Sequence, residues 1–269
     1  MSPFARLRRD ISDFIGLWRM VGTVSTAQWV LIRFGAKFGI SWWESWRVHP
    51  GQAQHALVAR LHGSSDISVF NQIFVREEYR CLRDLEDVSL VLDLGANVGY
   101  SSIYFLSAFP HSRVVAVEPD ERNVAVFRTN LESYGSRSQL LHGAVWAERT
   151  QLCLAKGTFG DGREWATQVL QPLDGSAGSV PAWDVGSLID IAGASQVDLL
   201  KVDIERSELA VFGETAKKWL PKIRNICIET HGRDCEEVFF KALADFDFEA
   251  SVSGELKICK NIRPKAVAL

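Results

Sequence analysis

Two acids and a glycine-bracketed turn define the first chemistry to look for. In "VSLVLDLGANVGYSSIYFL", residues 88–106, an apolar run ends in Asp93, and Gly95, Ala96, Asn97 and Gly99 follow before a helix-like segment. A second apolar run, "SRVVAVEP", ends in Glu118. Where strands alternate with helices, ligands sit beyond the carboxyl ends of the strands; a glycine turn there lets backbone approach the ligand, and the next helix offers unpaired N–H groups. A dinucleotide turn reads Gly-x-Gly-x-x-Gly, and its second glycine position is occupied here by Asn97. Asp93 would repel a pyrophosphate and suits a cationic amine. Glu118 is placed to accept hydrogen bonds from both hydroxyls of a ribose. A ligand with a ribose and a positively charged amino-acid end, as in S-adenosylmethionine, meets both demands; simple capping of the following helices is the plainer alternative.

A second polar set lies at the ends of later apolar runs. Asp203 follows "LLKV", Glu205 and Glu208 open the next helical segment, and Glu229 and His231 close "ICIETH". Methyl transfer from a sulfonium is an in-line displacement that asks the protein mainly to align the reactants and exclude water. A neutral hydroxyl acceptor also needs a base, or a metal that lowers its pKa. His231 titrates in the right range and is expected as the general base. Asp203, at the carboxyl edge where methyl and acceptor should meet, and Glu229, sharing a face with His231 two residues on, complete the expected catalytic set. Glu205 and Glu208 lie three apart on one helical face, where acids stabilise a first turn, orient Arg206 or contact substrate. A divalent cation among these oxygens is the less favoured reading, because no ligand spacing enforces it.

These residues must be positioned by an alternation of strands and helices. Strands are expected at "VSLVLDL", "SRVVAVEP", "SQLLHGAVW", "QVDLLKVDI" and "IRNICIET", with helices at 98–108, over "ERNVAVFRTNLESYG", at 205–220 and at 233–245. That order implies a doubly wound, mostly parallel α/β sheet covered on both faces. "FDFEASVSGELKICKNI" breaks the alternation with a hairpin at Ser253-Gly254, so one antiparallel strand should end the sheet. Residues 153–187 are rich in turn formers and read as an insertion near the site.

The first 65 residues read as a separate helical prelude, with the ligand-binding domain over 66–269. Phe4, Leu7, Ile11, Phe14, Ile15 and Trp18 recur at helical spacing, and "TAQWVLIRFGAKFGI" and "PGQAQHALVARLHG" read as two further helices. The first amphipathic helix is expected to pack on the rest of the chain, with peripheral contact to a membrane or partner as the alternative. Trp42, Trp43 and Trp46 read as a packed seam, and Arg6, Arg8 and Arg9 as a solvated basic face. The 269 residues carry a net charge of -3, which gives no global reason to expect nucleic acid, whose binding would need a basic stripe and a high pI. Five scattered cysteines without a Cys-x-x-Cys pair, no signal core and no long uncharged apolar run fit a reducing cytoplasm.

"DLGANVGYSSI", "VVAVEPDERNVAVFRTNL", "LLKVDIERSELAVFGE" and "ICIETHG" resemble, in order and spacing, the FkbM family of S-adenosylmethionine-dependent methyltransferases, and "SSDISVFNQIFVREEY" resembles the segment that precedes its first strand. The resemblance implies a class I methyltransferase (Rossmann-like) fold and O-methylation of a sugar, lipid or secondary-metabolite hydroxyl. It also brings Gly143, Ala144 and Val145 near the adenine. The chain departs from the family's Asp-Val-Glu-Gly-x-Glu, reading Asp203-Ile204-Glu205-Arg206-Ser207-Glu208. The expectation is therefore an S-adenosylmethionine-dependent O-methyltransferase with a small-molecule, glycan or lipid acceptor, against two rivals: an NAD-type oxidoreductase and a non-catalytic cofactor-binding protein.

Overall fold

A computed structural model describes residues 3–37, 43–156, 167–170 and 179–266. The chain divides into two compact units, Met1–Arg83 and Asp84–Leu269. Residues 66–83, which the sequence reading grouped with the ligand-binding domain, fall in the first.

The first unit holds helix α1 (Pro3–Lys37), strands β1 (Ser45–Val48) and β2 (Leu57–Arg60), and α2 (Asp66–Phe70), which runs on as a π-helical turn over Asn71–Val75. The first two expected helices are joined into α1 across a break at Gly22, whose φ of 75° no regular helix contains. The third expected helix is not formed. Leu57 and Ala59 are buried while Val58 and Arg60 are partly exposed, a period of two that pairs β2 antiparallel with β1. Trp46 on β1 is buried edge-on to Phe70, so this part of the tryptophan cluster is core. Trp43 is exposed and Trp42 lies outside the described residues. Asp66, fully buried, accepts from the backbone N–H and the guanidinium of Arg60 and ties β2 to α2.

The second unit alternates as expected: β3 (Leu90–Leu94), α3 (Tyr100–Ala108), β4 (Arg113–Glu118), α4 (Glu121–Leu131), β5 (Ser138–His142), β6 (Ala144–Val145), β7 (Thr150–Lys156), β8 (Thr167–Leu170), β9 (Ser179–Trp183), α5 (Val185–Ile191), β10 (Leu199–Val202), α6 (Glu208–Val211), β11 (Ile226–Glu229), α7 (Arg233–Ala242), β12 (Phe246–Ser253) and β13 (Leu256–Pro264). The main sheet has the order β12-β13-β11-β10-β3-β4-β5, parallel from β11 through β5. This is a Rossmann-like, class I methyltransferase arrangement. The antiparallel strand is not at the edge: β13 inserts between β11 and β12, pairing antiparallel with both. Leu92, Leu94, Val115, Val117, Leu200, Val202, Ile226 and Ile228 form its buried centre.

The expected third strand is interrupted. β5 stops at His142, and after Gly143 the chain leaves the main sheet as β6, which joins a second sheet of order β6-β9-β7-β8. A Cβ on Gly143 would lie 2.2 Å from the carbonyl oxygen of Pro181 and 2.4 Å from the Trp183 ring. Only glycine passes so close to β9. Most of the expected insertion beyond β7 lies outside the described residues.

Candidate active site

The strand order reverses between β3 and β10, and the residues leaving their carboxyl ends face each other across that switch point, where open α/β sheets bind ligands. Gly95 (φ 78°) leaves β3 and Asp203 leaves β10; a Cβ on Gly95 would sit 1.8 Å from the Asp203 carbonyl oxygen. The turn is thus pressed against the neighbouring strand end, a fit open only to glycine. A cleft of about 580 Å³, open mouth included, lies above it. Its walls are Gly95 and Asn97 from the turn, Glu118 ending β4, Gly143, Ala144 and Val145 beside β6, and Asp203, Ile204, Glu205 and Ser207 after β10.

Six of the nine residues expected to hold cofactor therefore converge on one cleft. The other three support it from beneath. Ala96 is buried with its N–H bonded to the Val117 carbonyl, and Gly99 packs on Phe127 and Leu131 with no room for a Cβ. Asp93 is the substantive difference: its carboxylate does not reach the cleft. It is fully buried, accepts hydrogen bonds from Ser101 Oγ (2.7 Å) and Ser102 Oγ (2.6 Å), and forms an ion pair with Lys201 Nζ at 3.2 Å. Burial alone would lower the Lys201 pKa, but the charges of Asp93 and Asp203 more than reverse this, and the ammonium is held above its ordinary value. Lys201 also donates to the Gly95 carbonyl at 2.7 Å. This buried pair locks the turn to β10 and was not singled out from sequence, although a lysine inside the wholly buried strand "LLKV" is a signal that it must be paired.

Glu118 is buried at the cleft wall. Its Oε2 accepts from the Asn97 N–H (2.8 Å), and its Oε1 accepts from the Asp120 N–H (3.0 Å) and Asn123 Nδ2 (3.1 Å). Burial outweighs these donors and raises its pKa to about 7. The helix-capping alternative belongs instead to Asp120, whose side chain accepts from the Arg122 N–H at the start of α4. Asn97 (φ 50°) carries a buried Oδ1 with no hydrogen-bond partner. His142, whose ring nitrogen meets the Pro119 carbonyl, does not line the cleft.

On the far side His231 stands amid four carboxylates. Its Nδ1 is 2.8 Å from Oε1 of the fully buried Glu208, and its Nε2 is 3.6 Å from Asp203, 3.6 Å from Glu205 and 3.9 Å from Glu229. Burial pulls the imidazolium pKa down, but the Glu208 hydrogen bond and the charges of Asp203, Glu208 and Glu205 raise it to about 9. His231 is therefore cationic at neutral pH and has no lone pair for a substrate proton, so the general-base role expected of it is not the one this setting provides. Neither His231 nor Glu229 lines the cleft. Glu205, which does, has its pKa raised to about 7, first by burial, then by Asp203 and Glu208 against the pull of His231. One ligand atom each from Asp203, Glu205 and His231 lies within 4.8 Å of the others, so the set has room for a divalent cation.

Arg206 explains how the chain tolerates its departure from the family pattern. Glu205 (φ 47°) and Arg206 (φ 74°) both adopt left-handed backbone, a conformation that suits a glycine at position 206 and is taken here by an arginine. The guanidinium is anchored, donating to the His231 carbonyl at 2.8 Å and pairing with Asp234. A Cβ on Gly232 would come within 2.8 Å of it. Left-handed residues other than glycine carry a strain of roughly 1–3 kcal/mol. The expected result is an inverted order: Arg206→Gly unfolds within about 1 kcal/mol of the native chain, and Arg206→Ala, which loses the anchor and keeps the strain, is the less stable of the two by about 1 kcal/mol in urea titration.

The family described as the methyltransferase FkbM domain matches residues 93–251, which is more than half of the chain and includes every residue of the cleft. The chain belongs to the FkbM methyltransferase family. It is 27 % identical over 213 residues to the AMB antimetabolite synthetase AmbE of Pseudomonas aeruginosa, covering 65 % of this chain and only 10 % of that protein. It is 24 % identical over 205 residues to Methyltransferase 1 of Beauveria bassiana, covering 65 % of this chain and 82 % of that one. Similar solved structures include a methyltransferase from Geobacter sulfurreducens (19 % identity, TM-score 0.42, 70 % of this chain and 77 % of that one) and the O-methyltransferase from Bacillus cereus in complex with SAH (14 %, 0.41, 68 % and 79 %).

Proposed function

We propose that this FkbM-family chain binds S-adenosylmethionine in the cleft and methylates a hydroxyl of a small-molecule, glycan or lipid acceptor. The observation that carries the reading is the convergence on one cleft of two unlike halves: a ribose-type acid with a glycine turn, and a second edge of carboxylates. The residues present fit the cofactor. Glu118 would accept from the ribose hydroxyls, the partnerless Asn97 Oδ1 is an acceptor for a cationic amine, and Gly143, Ala144 and Val145 leave a shallow apolar wall for a flat base. An NAD-type reading is disfavoured because its phosphate turn requires glycine where Asn97 stands.

When bound, the cofactor supplies an already activated methyl group. The chain's own residues align the acceptor and take its proton. Asp203 and Glu205 face that end of the cleft, and Glu205, poised near neutrality, suits the base role. His231 holds the acids in place as a fixed cation. The test is transfer of labelled methyl to a panel of hydroxyl acceptors at saturating cofactor. kcat should rise as pH increases through about 7, where Glu205 ionises, and then level off. Glu205→Gln should lower kcat by roughly 10²-fold or more and flatten that limb. Cofactor binding without turnover on any acceptor would favour the non-catalytic reading instead.

A further inference from the structure

Helix α1 is two-faced, and the face it packs with is not its apolar stripe. Leu17 is buried, a Cβ on Gly16 would lie 2.7 Å from Val75 Cγ1, the Met20 carbonyl accepts from the Gly51 N–H, and Asp13 pairs with Arg76. Those four positions share one side of the helix. Phe14, Ile15 and Trp18 lie on another, and all three are exposed, Trp18 by 52 %. Beyond the break at Gly22, Val24 (74 %) and Leu31 (60 %), two turns apart, are exposed as well. Phe14, Ile15 and Trp18, which were expected to pack inward, therefore face out. Large apolar side chains gathered this way on one helix mark an interaction surface.

Charge selects the occupant. Within Pro3–Lys37 there are six basic residues (Arg6, Arg8, Arg9, Arg19, Arg33 and Lys37) against Asp10 and Asp13, and Asp13 is already paired with Arg76. The segment is thus +4 in a chain whose total is -3. A second copy of the same face would bring two such segments together and be repelled. An anionic surface would be attracted, and the remainder of the chain, at -7, would be held away from it. Aromatic and aliphatic residues on a basic helix suit a membrane interface, and no helix among the described residues is long and apolar enough to cross a membrane. We propose that α1 lies on anionic lipid, with Phe14, Ile15 and Trp18, and then Val24 and Leu31, set into the headgroup boundary. This holds whether or not the cleft transfers methyl groups.

The experiment is co-sedimentation of the full chain with phosphatidylcholine vesicles and with vesicles of equal parts phosphatidylcholine and phosphatidylglycerol. Binding is expected to the mixed vesicles, weaker at high salt, and slight to the neutral ones. Phe14→Glu combined with Trp18→Glu should reduce it about tenfold or more with an unchanged melting curve, since both side chains are solvent-exposed. Val24→Glu with Leu31→Glu is the second variant and should show the same loss if the first fails to fold. Absence of vesicle binding by the unaltered chain, equal binding to both vesicle types, or a dimer in light scattering that the first variant dissociates would each overturn the proposal.

Discussion

Asp93→Ala is expected to lower the melting temperature of the chain before it says anything about the cleft. The substitution strands the ammonium of Lys201, which is buried in the central sheet, and removes the acceptor for Ser101 and Ser102. Breaking a buried ion pair from one side typically costs about 3–5 kcal/mol, because the remaining charge stays desolvated. For a domain of this size that corresponds to a loss of roughly 6–20 °C. Asp93→Asn combined with Lys201→Met should recover a substantial part of it, because neither buried charge of the pair is then left without its partner. Thermal unfolding of the native chain and the two variants checks this. Equal melting of Asp93→Ala and the native chain would mean that the carboxylate is not paired as described and would restore a direct ligand role for it.

Glu118→Gln should weaken cofactor binding by about 10- to 100-fold, since the amide no longer makes charge-assisted bonds to two hydroxyls, and it should also lower the melting temperature slightly, because one of the two backbone N–H groups that Glu118 accepts from would then face the amide NH2. The native residue also predicts a pH dependence. Its pKa, raised by burial from 4.5 to about 7, means the folded chain retains a proton that the unfolded chain has released across that interval. Its contribution to stability is therefore complete below about 4.5 and is lost as pH rises through about 7. Binding runs the other way: the ionised form accepts the ribose hydroxyls, so affinity increases as pH rises through about 7 and a proton is released on binding below it. Calorimetry in two buffers of different ionisation enthalpy measures that proton, and Glu118→Gln should abolish it.

The sheet and one half of the site were legible because they rest on local pattern. Apolar runs ending in Asp93, Glu118, Asp203 and Glu229 placed four strands, and the run of glycines placed the turn. What escaped depends on contacts between distant segments. Asp93 lay at the right strand end for a ligand, but Ser101 and Ser102 in the first turn of α3 and Lys201 on the adjacent strand claim its carboxylate. His231 has a suitable intrinsic pKa, but Asp203, Glu205 and Glu208, brought to it from the stretch after β10, raise it out of the useful range. β2 was hidden because its period of two spans only Leu57–Arg60 among good helix formers. The apolar stripe of α1 was visible, but which face would be covered was not, since Gly16 and Leu17 create a closer packing surface than the aromatics do.

The central claim is that the cleft between the ends of β3, β4 and β10 holds S-adenosylmethionine through Glu118. Calorimetric titration of the native chain and Glu118→Gln with S-adenosylmethionine, S-adenosylhomocysteine and NAD tests it most directly. The account predicts one site per chain for the first two ligands, weakened by the substitution, and no comparable binding of NAD. Binding of NAD alone, or S-adenosylmethionine binding that Glu118→Gln leaves unchanged, would contradict it.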